Sequence, residues 1–231
     1  MKGMALDSDI HIWKLWLPAA SNQISAAASL LIAGESERAN RYLHEKNKQR
    51  FILSRAMLRS IVSKYTGAKP AEVVFSTTGN KKPCVAGSDL QFNVSHSGDM
   101  VLIAIADIPI GIDVERVDDH FDFSEVLPVC FCREESDMVE RHGKEYFYRY
   151  WTRKEALVKA SGSGLDSSMQ LLPCMDGVHE MLPGIAGLEG DWVVNNFVAE
   201  AGYVSCIAYP SLDKRLKGFD ISNSLADLLG A

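Results

Sequence analysis

Long apolar runs are missing from this sequence. No stretch approaches the ~20 consecutive apolar residues that span a bilayer, although 47% of the 231 residues are hydrophobic. The N-terminus shows no basic flank leading into an apolar core, so a secretion signal is not expected and the cytoplasm is the expected location. Cysteine is scarce and badly spaced for cross-linking: Cys84, Cys130, Cys132, Cys174 and Cys206 are an odd set at irregular intervals. The lone Cys130-x-Cys132 has no second pair to complete a zinc site, so all five are read as reduced thiols. None of the other histidines, His11, His44, His120, His142 and His179, falls at a metal-ligand spacing. Neither a P-loop nor a G-x-G-x-x-G turn is present, which removes the usual nucleotide folds.

Positive charge is also in short supply, with 24 Lys and Arg against 30 Asp and Glu. It is unevenly placed. Residues 35 to 64 hold eight Lys or Arg and three Asp or Glu, so that stretch is +5 and the remainder −11. A basic patch on an acidic chain suits a local anionic ligand better than bulk nucleic-acid binding.

What remains reads as an α+β chain of one domain or two small ones. Residues 10–16 suggest a strand and 21–31 a short Ala-rich helix. Residues 36–65 suggest one or two helices, with Leu53, Met57, Leu58, Ile61 and Val62 on one face and Gly67 and Pro70 as stops. A short strand is expected at 73–76 and a turn at 79–83. Residues 90–96 and 100–106 form a hairpin across Ser97-Gly98-Asp99, and 110–116 a further strand. An acidic loop at 117–129, a helical pattern over 131–161 and a loop-rich stretch at 166–190 follow. A second hairpin is expected over 192–198 and 203–209, with a surface tail that is helical near 225–229. The two halves look alike: Arg55 and Leu58 match Lys154 and Leu157, and the strands starting at Met100 and Tyr203 match each other. This is the trace of a duplicated unit.

Three segments carry chemistry. Asp113 and Glu115 in Gly-Ile-Asp-Val-Glu stand two apart on a strand, which puts both carboxylates on one face. Glu155 and Lys159 stand four apart on a helix, again on one face. Carboxylates of this kind suit Mg²⁺ together with substrate phosphate oxygens, and a lysine can meet charge on a phosphate leaving group. The third segment is Phe92 to Asp99. Its Ser95 and His96 are adjacent on a strand and point to opposite faces, so His96 is poorly placed to activate Ser95 as a hydrolase nucleophile, and the G-x-S-x-G elbow is absent.

Lys82-Pro83, Phe92 to Asp99, Gly111 to Glu115 and Trp151 to Leu165 occur in this order over about 85 residues. Together they resemble the 4′-phosphopantetheinyl transferases of the larger, two-half, surfactin-synthetase-activating type. One departure is Lys81, which stands where the family has glycine before its functional lysine.

The resemblance implies two similar α/β halves about a pseudo-twofold axis, with the active site in the cleft between them. Residues 1–107 would bind coenzyme A and residues 108–231 would carry the metal and catalytic groups. It implies Mg²⁺ held by Asp113, Glu115 and Glu155, catalysis by Glu155 and Lys159, and coenzyme A contacts from Arg38 (Arg50 being the second choice), Lys82, Ser95, His96, Lys154 and Lys159. The implied reaction moves the 4′-phosphopantetheine arm of coenzyme A to a serine of an acyl or peptidyl carrier protein, releasing adenosine 3′,5′-bisphosphate. A monomer that touches neither nucleic acid nor membrane is expected. The rival expectations are a non-catalytic coenzyme A-binding protein, another Mg²⁺-dependent phosphotransferase, and a coenzyme A hydrolase.

Overall fold

A computed structural model describes residues 3–80, 82–164 and 167–230. Lys81 and Leu165, both named in the motifs, lie outside them. The first half runs β1 (Ile10–Trp16), α1 (Ile24–Ser29), α2 (Ala33–Asn40), α3 (Glu45–Thr66), β2 (Phe75–Thr77), β3 (Pro83–Val85), β4 (Gln91–Ser97) and β5 (Met100–Ala106). The chain continues through β6 (Gly111–Arg116), α4 (Leu127–Cys130), α5 (Arg133–His142), α6 (Lys144–Ser161), β7 (Gly177–Ile185), β8 (Leu188–Phe197) and β9 (Tyr203–Tyr209). It closes with β10 (Leu216–Asp220) and α7 (Leu225–Leu229). This is a mixed α+β fold. Among the described residues no helix is long and apolar enough to cross a membrane.

Two four-stranded sheets form the centre, ordered β10-β1-β5-β4 and β6-β9-β8-β7. Period-two alternation explains the layering. Val101, Ile103 and Ile105 of β5 face α3 and its neighbours. Met100, Leu102 and Ala104 face the other way, onto Ile112, Val114, Val193 and Ile207 of the second sheet. That sheet turns Trp192, Val194, Cys206 and Ala208 toward α6. The order of layers is therefore helix, sheet, sheet, helix, with the strands apolar on both faces.

Several elements differ from expectation. The helical stretch 131–161 is two helices, broken at Gly143, whose φ is positive (78°). The loop-rich stretch after 166 contains β7, which pairs with β8 in a bulged hairpin. Its residues are mostly exposed and include Pro183 and Gly184, so no clean alternation marks it. The surface tail is corrected most: β10 runs parallel to β1, and Ile221, Leu225 and Leu229 are buried in the first half's core. Residues 216–229 thus pack with the half from which the division at 107/108 had separated them. The burial of β1 between β5 and β10 supplies the reason, since its backbone needs a partner on both sides.

The internal match also shifts. Both long helices end on a left-handed glycine, Gly67 (φ 74°) and Gly162 (φ 76°). Counting back from these caps pairs Arg59, not Arg55, with Lys154, and Ser60 with Glu155.

Candidate active site

The site lies where the two sheets meet edge to edge. β4 and β6 are neighbours but do not form a backbone ladder. Instead, alternate β4 side chains accept the β6 N–H groups. Asn93 Oδ1 accepts from Ile112 N at 2.9 Å, Ser95 Oγ from Val114 N at 3.2 Å, and Ser97 Oγ from Arg116 N at 3.1 Å. The other edge of β6 pairs with β9. This seam satisfies the backbone of β6 while leaving Asp113 and Glu115 on the face toward α6.

Gly111 lets α6 come that close. A Cβ there would stand 1.9 Å from the Ala156 carbonyl oxygen. Helix and strand are therefore in backbone contact, and Trp151, Glu155 and Lys159, one turn apart on α6, face the acidic side of β6. Lys82 fastens the same junction by donating to the carbonyls of Ile110 (3.0 Å) and Ala160 (2.8 Å). Burial lowers its ammonium to about 8.

Asp113 is 1% exposed. Its Oδ1 accepts from Lys159 Nζ at 2.6 Å and from Ser95 Oγ at 2.9 Å. Its Oδ2 is buried without a partner. Lys159 also donates to Ser95 Oγ at 2.9 Å. Glu115 accepts from Ser97 Oγ at 2.6 Å, and burial, joined by the charge of Asp113, raises its carboxyl. Glu155 is pushed up to about 7, first by burial and then by the charge of Asp113. Asp113, Glu115, Glu155 and Lys159, named from two separate motifs, are thus brought together.

Ser95 and Lys154 are tied up within the protein. Ser95 is 3% exposed, and its hydroxyl bonds with Asp113, Val114 and Lys159. Lys154 is 0% exposed. It pairs with Glu135 at 2.7 Å and donates to the carbonyls of Met169 and Leu172 at 2.8 and 2.9 Å. It is a core cation holding the loop after α6 and does not face the seam.

His96 points away from Ser95 and is exposed. Its imidazole is lowered by partial desolvation and by the charge of Arg50. Arg50, Lys46, Gln49, Leu17 and Asp99 line a cavity of about 300 Å³. Arg38 is exposed on α2, its guanidinium 5.0 Å from the centre of the Phe51 ring. It makes no hydrogen bond to the seam. A second cavity, of about 350 Å³, opens beside Glu115 and Trp151 and is walled by Phe121 and Tyr148.

Ser97, Asn93 and Tyr203 were not foreseen. Tyr203 Oη accepts from Asp99 N at 3.1 Å and so holds the β4–β5 turn from the second half. The alternation Asn93-x-Ser95-x-Ser97 is a period-two polar stripe on a strand, and that was the available clue.

Among the described residues no three His, Cys, Asp or Glu side chains close on one point as a metal cage. The donor chemistry nonetheless fits a hard divalent ion. Asp113 has a free, buried oxygen, two further carboxylates are held near it at unfavourable charge, and Mg²⁺ normally takes only one or two carboxylates beside phosphate and water.

Comparison with known proteins places this geometry. Residues 14–107 match the N-terminal 4′-phosphopantetheinyl transferase domain, and residues 109–180 match the 4′-phosphopantetheinyl transferase superfamily. The chain is 33% identical over 169 residues to 4′-phosphopantetheinyl transferase HetI of a Nostoc species, covering 69% of this chain and 71% of that protein. It is 31% identical over 153 residues to 4′-phosphopantetheinyl transferase Sfp of Bacillus subtilis, covering 64% and 67%. Similarity extends to the mouse L-aminoadipate-semialdehyde dehydrogenase-phosphopantetheinyl transferase, 27% identical over 174 residues. With both halves matched and the motif residues gathered at one seam, this chain is an enzyme belonging to the 4′-phosphopantetheinyl transferase superfamily, of the Sfp type.

Proposed function

We propose that the enzyme transfers the 4′-phosphopantetheine arm from coenzyme A to a serine hydroxyl of an acyl or peptidyl carrier protein, in a Mg²⁺-dependent reaction that releases adenosine 3′,5′-bisphosphate. The observation that carries this reading is the meeting of Asp113, Glu155 and Lys159 at the seam, with one Asp113 oxygen unpartnered. Asp113, Glu115 and Glu155 would hold the ion. When bound, Mg²⁺ neutralises charge on the pyrophosphate oxygens and orients them.

The chain's own residues account for the rest. Lys159 stands with its ammonium at the seam and exchanges its bond to Asp113 for one to the departing phosphate, where charge grows most in the transition state. Glu155, directly or through a water, would take the proton of the incoming serine. Arg50, which lines the cavity of about 300 Å³, His96, which feels its charge, and Arg38 on α2 meet the coenzyme's other phosphates. Lys82 braces the junction of β6 and α6, and its remaining N–H is available to phosphate. The aromatic wall of Phe121, Tyr148 and Trp151 beside Glu115 suits the uncharged arm.

Two similar halves about a pseudo-twofold axis, the first for the coenzyme and the second for the metal and catalysis, are part of this reading. They are supported by the paired sheets and by the matching helix caps. Because both halves come from one chain, a monomer suffices. Five free cysteines suit a reducing compartment such as the cytoplasm.

Intact-mass spectrometry tests the reading. Carrier proteins incubated with coenzyme A, Mg²⁺ and this enzyme should gain one phosphopantetheine arm. Free phosphopantetheine with no modified carrier would point to a hydrolase instead, and binding without either product would point to a non-catalytic protein.

A further inference from the structure

The seam repeats one small unit. At Ser95 the hydroxyl accepts Val114 N and donates to Asp113 Oδ1. At Ser97 the hydroxyl accepts Arg116 N and donates to Glu115 Oε2. In each case a serine of β4 takes the N–H of one β6 residue and gives its proton to the carboxylate of the residue before it. We propose that Ser95 and Ser97 are positioning residues that aim the two β6 carboxylates, so that the relative placement of the two sheets sets the geometry of the acidic centre.

A hydroxyl has one proton and two lone pairs. At Ser95 both lone pairs are taken, by Val114 N and Lys159 Nζ, so the proton can go only to Asp113 Oδ1. With Lys159 on the same oxygen, Oδ1 is saturated and Oδ2 is the oxygen left free. At Ser97 the backbone N–H holds the oxygen at 3.1 Å, and the proton meets Glu115 at 2.6 Å. A carboxylate on a strand otherwise turns freely about its last torsion, and a single fixed donor removes that freedom. A backbone ladder between β4 and β6 would have joined the sheets equally well but offered nothing to the carboxylates. The side-chain seam therefore does two things at once.

This inference rests on the proposed transfer reaction, and the experiment separates the two. Ser97 is half-buried and is the position to vary. Ser97→Ala should lower kcat about tenfold or more while the KM for coenzyme A stays within about twofold, the loss typical of partners that orient metal-binding groups. Ser97→Thr, which keeps the hydroxyl, should recover most of the rate. A readout independent of turnover is the rise in unfolding temperature on adding Mg²⁺ alone, which should shrink in Ser97→Ala and return in Ser97→Thr. Ser97→Cys keeps the volume with a weaker donor and should fall between them, and it serves should Ser97→Ala not fold. If Ser97→Ala or Ser97→Cys unfolds more readily yet keeps its kcat and its response to Mg²⁺, the serines only join the sheets and the proposal is overturned. If the wild-type enzyme modifies no carrier and does not respond to Mg²⁺, the transfer reading fails first and takes this inference with it.

Discussion

In the first half, α3 carries Arg59 eight positions before its glycine cap; in the second, α6 carries Lys154 eight positions before its own. Each cation is fully buried, at 1% and 0% exposure. Each pairs with the glutamate at the third position of the preceding helix: Glu35, 2.6 Å from Arg59, and Glu135, 2.7 Å from Lys154. Both glutamates also accept a backbone N–H at their helix start, from Ile32 and Cys132. Both cations donate to two carbonyls of the segment after the long helix, Pro70 and Val73 in one half and Met169 and Leu172 in the other. Each stands about the same distance from a phenylalanine ring, 5.5 Å for Arg59 and Phe75 and 5.4 Å for Lys154 and Phe131.

The halves part company one position later. Where α6 has Glu155, α3 has Ser60, a buried hydroxyl with no partner. Where α6 has Lys159 at the seam, α3 has Lys64, exposed to solvent. The shared device ties a helix to its loops, and the acidic and basic groups that α6 brings to the seam, Glu155 and Lys159, have no counterparts there from α3. The buried lysine beside Glu155 is thus a frame element, and adjacency in sequence says nothing about which of the two faces the seam.

The largest effects should come from breaking that frame. Lys154→Ala leaves the half-buried Glu135 without its cation and should cost about 3 to 5 kcal/mol. Arg59→Ala removes a buried cation whose Glu35 still pairs with Arg55, so it should cost less. Chemical denaturation of both variants checks this, and an equal loss in both would show that Arg55 does not stand in for Arg59. Folded Lys154→Ala should bind coenzyme A normally by calorimetry, because the lysine never reaches the seam.

Next come changes to the charged side of the comparison. Asp113→Ala should reduce turnover about 100-fold or more, exceeding the losses known for groups that only orient a metal ligand, with a folded protein by circular dichroism. Ser60→Ala, at the corresponding position of α3 to Glu155, should leave turnover unchanged, and single-turnover assays compare the two. Dependence on Ser60 would place chemistry in both halves.

Smaller, and visible only as pH varies, is the cost of the Glu155 carboxylate. Its folded value near 7 lies above the ordinary 4.5. Between those values the unfolded chain releases a proton that the folded chain keeps, so Glu155 costs stability increasingly as pH rises from about 4.5 to 7. Without divalent ions, Glu155→Gln should therefore gain stability over wild type between pH 5 and pH 8 while losing activity. Thermal unfolding at both pH values measures it, and a constant difference would mean that the carboxyl is not raised.

The smallest expected effect is at Arg38. If it meets a phosphate of coenzyme A, Arg38→Ala should weaken binding about tenfold, the low end for a hydrogen bond to a charged group. Dephospho-coenzyme A should be indifferent to the change if that phosphate is the 3′ one, and calorimetry with both ligands distinguishes the two.

The carboxylates were legible because a strand repeats every two residues and a helix every 3.6, so Asp113 with Glu115, and Glu155 with Lys159, had to share faces. The strands expected at 10–16, 90–96 and 100–106 were legible as apolar stretches bounded by turn residues, and the second runs over Gln91–Ser97. β7 and β10 were not. One is an exposed, bulged hairpin arm and the other a short edge strand with Gly218 in its middle, and neither buries a repeating face. Arg38 was chosen from its neighbours in sequence, and nothing in its local pattern says which way it points.

By itself the sequence determined which chemical groups exist, and it determined their local spacing, because backbone periodicity acts over a few residues at a time. Only the tertiary structure decided which of them meet. It sent Lys154 into the core and Lys159 to the seam, since packing of α6 against β6 at Gly111 selects a single face of the helix. It set Ser95 between Val114, Asp113 and Lys159, because β4 and β6 are joined through side chains. It returned the C-terminal strand to β1 across the length of the chain, because a buried backbone edge must find its hydrogen bonds wherever the chain can supply them.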